Sequence, residues 1–117
     1  MPHDVPEEVF EALVADALDE IPEPLAAAMD NVAIVVEDWP DPGRALLGLY
    51  EGVPLTRRSP VDYAGVMPDV ITIYRGPLCR RARDERDLAE QVRITVLHEV
   101  GHHFGLDDDR LEELGWA

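Results

Sequence analysis

The chain has 117 residues and carries 25 Asp and Glu against ten basic residues, a formal charge of −15, so its surface repels nucleic acid and anionic membranes. That length suits a single domain over residues 1–117 with a real core, and a 46% hydrophobic content argues against global disorder. No apolar run reaches membrane-span length, the acidic start lacks the basic segment of an export signal, and the lone Cys79 permits no internal disulfide, so a reducing cytoplasm is the expected compartment.

Residues 6–20 predict a helix. Pro6, Glu7 and Glu8 suit its first turn, and Val9, Phe10, Leu13, Val14, Ala17 and Leu18 form an apolar stripe. Ile21-Pro22-Glu23-Pro24 ends it, and Leu25 to Asp30 can form a short second helix. Asn31 marks a turn into residues 32–38, VAIVVED, whose Val and Ile content predicts a buried strand. Trp39 to Arg44 is a loop by its Pro and Gly. Residues 45–50 predict a second strand, with Glu51-Gly52 as a hairpin turn into VPLTRR.

Residues 59–68 read as an irregular loop. In DVITIYRG, residues 69–76, Val70, Thr72 and Tyr74 alternate with Ile71, Ile73 and Arg75, the pattern of an edge strand with two unlike faces. Charge is uneven along the chain. Residues 1–43 hold twelve of the acids and no Arg, and all ten basic residues beyond them are Arg. Five fall between Arg75 and Arg86, namely Arg75, Arg80, Arg81, Arg83 and Arg86. The first reading of that cluster is a solvated loop and helix face, partly paired by Asp84, Glu85 and Asp87. A dedicated anion site is the second reading.

Residues 84–104 predict a long helix. Leu88, Val92, Ile94, Val96, Leu97, Val100 and Phe104 surround most of its circumference, so it runs through the core. His98, His102 and Thr95 share the remaining sector. Gly101 costs helix propensity, which close approach of another element explains. Residues 109–116 fit a short closing helix. Cys79 reads as a small, semi-buried apolar residue.

The long helix ends in HEVGHHFGLDD, residues 98–108, which contains H-E-x-x-H-x-x-G-x-x-D. Histidines four apart project from one helix face and can share a metal ion. Glu99 lies about 100° around the helix from His98, beside such an ion without being its ligand, where a general base belongs. Gly105 can adopt a positive φ and turn the chain, so that Asp108 comes back as third ligand. Asp107 and Asp109 compete for that role, and Asp108 has the motif's spacing of three residues after Gly105. Two His, one carboxylate and an open fourth position describe a catalytic site for one Zn²⁺. A buried helix end with paired core histidines, capped by Gly105, accounts for neither Glu99 nor the third carboxylate. His103 lies too far round the helix from His102 for ligation, and packing or a surface role fits it better.

At this segment the chain resembles the zincin metallopeptidases, with the metzincin pattern in which Asp is third ligand. As a whole it is similar to the small single-domain bacterial zincin-like proteins, through VFEALVADALDEIPE, NVAIVVED, LLGLYEG, ITIYRGPL and TVLHEVGHHFGLDDDRLEELGW. The resemblance implies an α+β, minimal zincin-like fold, a small mixed β-sheet packed on the buried H-E-x-x-H helix and an N-terminal helix. It implies that His98, His102 and Asp108 hold zinc, that Glu99 is the catalytic base, and that Gly105 is the turn glycine. The chain departs from metzincins in their methionine turn. Met29 and Met67 precede the motif, and no Met follows Asp108.

The expected function is therefore zinc-dependent hydrolysis of a peptide or protein substrate, with no nucleic-acid or membrane partner. Tyr74, Tyr63 and Arg75 are the candidates to stabilise the oxyanion, and the strand at 70–75 could take up a peptide by strand addition. One alternative is a non-catalytic scaffold that binds metal or a protein partner. The missing methionine turn favours it, and Glu99 opposes it. Another is a metal-dependent endoribonuclease of the H-x-x-x-H-x-x-x-x-x-H type. Glu99, Asp108 and the net charge all oppose that. The oligomeric state is not set by the sequence.

Overall fold

Helix α1 forms over Glu7–Leu18, with Pro6 at its N-cap and Glu7 and Glu8 in its first turn. Its helical periodicity buries Phe10, Val14 and Ala17 and leaves its acidic face in water. The computed structural model describes residues 5–23, 25–29, 31–52 and 68–115. After α1 come a single-turn helix α2 (Leu25–Ala28), strands β1 (Val32–Glu37), β2 (Gly48–Glu51) and β3 (Asp69–Tyr74), and helices α3 (Arg75–Arg81), α4 (Glu85–His103) and α5 (Asp108–Leu114). The fold is α+β. None of the described helices is long and apolar enough to cross a membrane.

Three strands form a mixed sheet in the order β1-β3-β2. β1 runs parallel to β3, with Val32 opposite Asp69 and Glu37 opposite Tyr74, and β2 runs antiparallel to β3, with Gly48 opposite Ile73 and Glu51 opposite Val70. This reverses two expectations. The alternating strand at 69–76 is the centre of the sheet, not its edge. Ile71 and Ile73 are fully buried, and Thr72 and Tyr74 are buried as well. With a strand on each side, β3 has no free edge for a peptide to join. The Val- and Ile-rich run at 32–38 is an outer strand, half-buried, with Val35 and Glu37 exposed. The β-branched content marked it as a strand, but that preference does not distinguish a central from an outer place.

Two boundaries also shift. β3 ends at Tyr74 and the chain enters α3 directly at Arg75. There Arg75 donates from Nε to Asp38 at 2.9 Å and from a terminal nitrogen to the Val5 carbonyl at 2.7 Å, tying α3 to the loop after β1 and to the start of α1. β2 starts only at Gly48, although the Leu47 carbonyl still accepts from Tyr74 N–H at 3.0 Å. The predicted hairpin partner at 53–58 and the loop through residue 67 lie outside the described residues.

Helix α4 carries the functional motif through the middle of the core. Asp84 caps its start, its carboxylate accepting from Asp87 N–H at 2.7 Å. Leu88, Val92, Val96 and Val100 are fully buried in the cluster that also holds Phe10, Val14, Ile71 and Ile73. The helix is thus pinned between α1 and the sheet, and its C-terminal turns come up beneath β2. Cys79 is buried in the same cluster from α3, as its apolar reading anticipated.

Candidate metal centre

His98 and His102 lie one turn apart on α4, as the i, i+4 spacing requires. Their Nε2 atoms are 3.1 Å from each other. Both rings are about a third exposed, on the side of the helix that opens to solvent. Asp108 brings Oδ1 to 3.7 Å from Nε2 of His98 and 3.6 Å from Nε2 of His102. This is the one group of three possible ligands found among the described residues. A tetrahedral zinc ion with bonds of about 2.0–2.2 Å spaces its ligand atoms roughly 3.3–3.5 Å apart, so the donor set fits in type and in spacing.

The turn that delivers Asp108 is local and complete. Gly105 has φ +84°, a conformation that glycine adopts without Cβ strain. Its N–H donates to the His102 carbonyl at 2.9 Å, and Leu106 N–H donates to the Gly101 carbonyl at 3.0 Å. That pair of bonds is a Schellman motif, which satisfies the last carbonyls of α4 while reversing the chain. Gly105 therefore is a helix cap, and the cap is the device that returns the chain toward the histidines. Of the three acids that follow, Asp107 is the N-cap of α5, its carboxylate accepting from Arg110 N–H at 2.9 Å. Asp108, one residue on, points at the His pair instead.

Gly101 sets how closely α5 approaches. Leu111 of α5 is fully buried, and its side chain occupies the space a Cβ on Gly101 would need. The helix-propensity cost of that glycine thus has the cause its position suggested. Gly101→Ala is expected to push α5 outward, costing about 1–3 kcal/mol of stability by overpacking and weakening metal binding through Asp108. Thermal melts and zinc titration of that variant check it. An unchanged zinc affinity would show that α5 is free to adjust.

Glu99 sits beneath β2, nearly buried. Gly48 of β2 passes so close that a Cβ there would lie 3.2 Å from Cγ of Glu99 and 2.9 Å from Cγ2 of Thr95. Burial lifts the Glu99 carboxyl above the ordinary carboxylate range. The charges of His98 and His102 and the backbone N–H of Tyr50 pull it down, and Asp108 adds to the rise. Glu99, His102 and Asp108 line one open cleft of about 620 Å³, together with Leu46, Gly48 and Tyr50.

A buried polar group beside this cleft was not visible in the sequence. Asp69, at the first position of β3, accepts from Tyr50 O–H at 2.6 Å, and its carboxylate lies 3.0 Å from Nδ1 of His103. His103 is fully buried and packs edge-on against the Tyr50 ring, so its role is structural, in keeping with its place round the helix from His102. The network joins β2, β3 and α4 and fixes the height of β2 above Glu99. The one local signal was an acid inside a strand, where Asp is depleted. Of the oxyanion candidates, Tyr74 is buried in β3 and absent from the cleft lining, and Arg75 is engaged with Asp38 and Val5. Tyr63 lies outside the described residues. Burial raises the Tyr74 phenol above its usual value, against the charge of Arg44, with Asp41, Glu51 and Glu37 adding smaller increases.

Residues 29–116 match the zincin-like metallopeptidase family. Among solved structures the chain is similar to a conserved hypothetical protein from Thermo thermophilus, at 29% identity and a TM-score of 0.56, over 94% of this chain and 97% of that one. No curated protein matches it. The family implies a metal, typically zinc, and the described residues offer His98, His102 and Asp108 to hold one. With the match running from the start of the sheet through the motif helix to α5, the chain belongs to the zincin-like metallopeptidase family.

Proposed function

We propose that this protein is a zinc-dependent peptidase in which His98, His102 and Asp108 hold one Zn²⁺ and Glu99 is the general base. The observation that carries the reading is the convergence of three ligand atoms beside a nearly buried carboxylate at an open cleft. Zinc held by these three residues would supply Lewis acidity for the scissile carbonyl and for the attacking water. Glu99 takes the proton from the attacking water, whose oxygen bonds to the carbonyl carbon. As the C–N bond breaks, Glu99 returns that proton to the leaving amine. The rise that burial imposes on Glu99 makes it a better proton acceptor, and the Tyr50 N–H holds it in place.

The substrate would lie along β2, not β3. In an antiparallel ladder successive residues turn their peptide groups alternately toward and away from the partner. Leu47 bonds to Tyr74 of β3, so Gly48 and Tyr50 face away from it, with the Tyr50 N–H already given to Glu99. Among the described residues no strand pairs with that outer edge. A peptide added there would run over the cleft that holds Glu99.

The test is zinc content followed by turnover. Protein purified without chelator should carry about one zinc per chain, as one tetrahedral site demands, and should lose it in a His98→Ala/His102→Ala variant. The zinc-loaded protein should then cut members of a mixed peptide library, read by mass spectrometry. Full zinc occupancy with no cleavage would replace the peptidase reading with that of a non-catalytic metal-binding scaffold.

A further inference from the structure

A second cleft, of about 440 Å³, opens next to the first. It is lined by Trp39, Arg44, Arg80 and Arg81, with no acidic residue in its wall. Leu46 lines both clefts, so the two lie beside one another at the segment that leads into β2. In a chain of net charge −15 such a concentration of cations is unusual. The four described ion-paired arginines elsewhere are Arg75 with Asp38, Arg83 with Asp87, Arg93 with Glu20 and Glu90, and Arg110 with Glu113. None of Arg44, Arg80 and Arg81 has an acidic partner among the described residues.

The cleft is also built rather than accidental. Trp39 packs against the start of α3, so near that a Cβ on Gly76 would come within 2.5 Å of the indole, and Gly76 N–H donates to the Asp38 carbonyl at 2.8 Å. The Arg80 guanidinium stands 5.0 Å over the Trp39 ring, a cation–π placement that holds its donors in a fixed direction. The helix C-terminus accounts for some preference for Arg80 and Arg81 at the end of α3. It does not account for Arg44, which reaches the same cleft from the loop before β2.

We infer that the Trp39–Arg44–Arg80–Arg81 cleft is a specificity subsite for an acidic side chain of the peptide substrate. This rests on the peptidase reading above, and it adds the substrate class, an acidic peptide. Arg44 precedes Gly48 by four residues, at most about 13 Å of chain. The acidic residue therefore sits within about four residues of the bond that is cut, at the rise of an extended peptide. The planar guanidinium forks of three arginines suit a carboxylate better than an amide of the same shape. A long polyanion such as RNA would meet the repulsion of a chain with a net charge of −15, so a single acidic stretch within a peptide is the ligand that fits.

The experiment reads binding, separately from turnover. Two fluorescent decapeptides that differ only in a Glu–Glu or a Gln–Gln tract are titrated by fluorescence polarisation against zinc-loaded Glu99→Gln protein at low salt. The Glu peptide should bind about tenfold more tightly or better, within the range of interfacial charge pairs. The preference should shrink at high salt. It should fall below about twofold in the same protein with Arg44→Gln, Arg80→Gln and Arg81→Gln, since the pairing charges are gone. Equal affinity of the two peptides, a preference that survives the triple replacement, or a short oligonucleotide that displaces the Glu peptide more strongly than the peptide itself competes would overturn the inference. A Glu preference without cleavage by the wild-type protein would instead sink the peptidase reading and leave an acidic-peptide site standing.

Discussion

Glu99→Gln is expected to lower kcat on any peptide the protein cuts by about 10²–10⁴, the contribution of a positioned general base, with zinc content unchanged. Gln keeps the size of Glu and an oxygen for the Tyr50 N–H, so neither the packing under Gly48 nor the backbone of β2 has reason to move. What Gln lacks is the capacity to take a proton from water. The variant therefore separates chemistry from architecture. Parallel measurement of turnover, zinc by elemental analysis and thermal unfolding gives the result. Loss of zinc along with activity would make Glu99 a ligand, and retained activity would move the base elsewhere.

Asp108→Ala is expected to weaken zinc binding by at least about 100-fold, beyond the 10–100-fold typical of groups that only support ligands. Its neighbours make the comparison sharp. Asp107→Ala removes the cap on Arg110 N–H and should cost about 1 kcal/mol of stability, with a much smaller effect on zinc. Asp109 is exposed in the first turn of α5 and outside the possible ligand group, so Asp109→Ala should do little to either. Equal and small losses of affinity in all three variants would mean that the acids only suit the helix dipole and that the protein supplies two ligands.

The candidate site was legible in the sequence because its geometry is local. His98, Glu99 and His102 occupy one helical turn, and the Schellman turn at Gly105 is closed by bonds within six residues. Asp108 thus follows from helix periodicity and one positive φ. The fold class was legible for a similar reason, since α1 and α4 announce themselves by their apolar spacing. What stayed hidden depends on pairs far apart in the chain. Nothing near Asp69 says that Tyr50 and His103 meet it, 19 and 34 residues away. Strand order is equally nonlocal. The alternation of β3 described its two faces faithfully but not the strands on either side, and β1 read as buried only because its residues favour any strand. The arginines of α3 read as a solvated face until Trp39 and Arg44, from two positions in the loop between β1 and β2, joined them in one cleft.

The short helix α5 is a poor helix by itself. It has seven residues, fewer than the roughly 12–15 that an isolated helix needs in water, and Leu111 is its one fully buried side chain. Its other link to the body of the protein is Asp108, whose carboxylate is 80% exposed. Coordination at Asp108 would therefore fasten the first residue of a helix whose one fully buried side chain is Leu111. Zinc affinity and the local unfolding of residues 108–114 then share one thermodynamic account, in which each tenfold excess of ion over its dissociation constant deepens the docked state by about 1.4 kcal/mol. Backbone amides of α5 should exchange with solvent fast in chelator and slowly in zinc, while those in the middle of α4 hardly change. The last helix would act as a clasp that the metal itself closes.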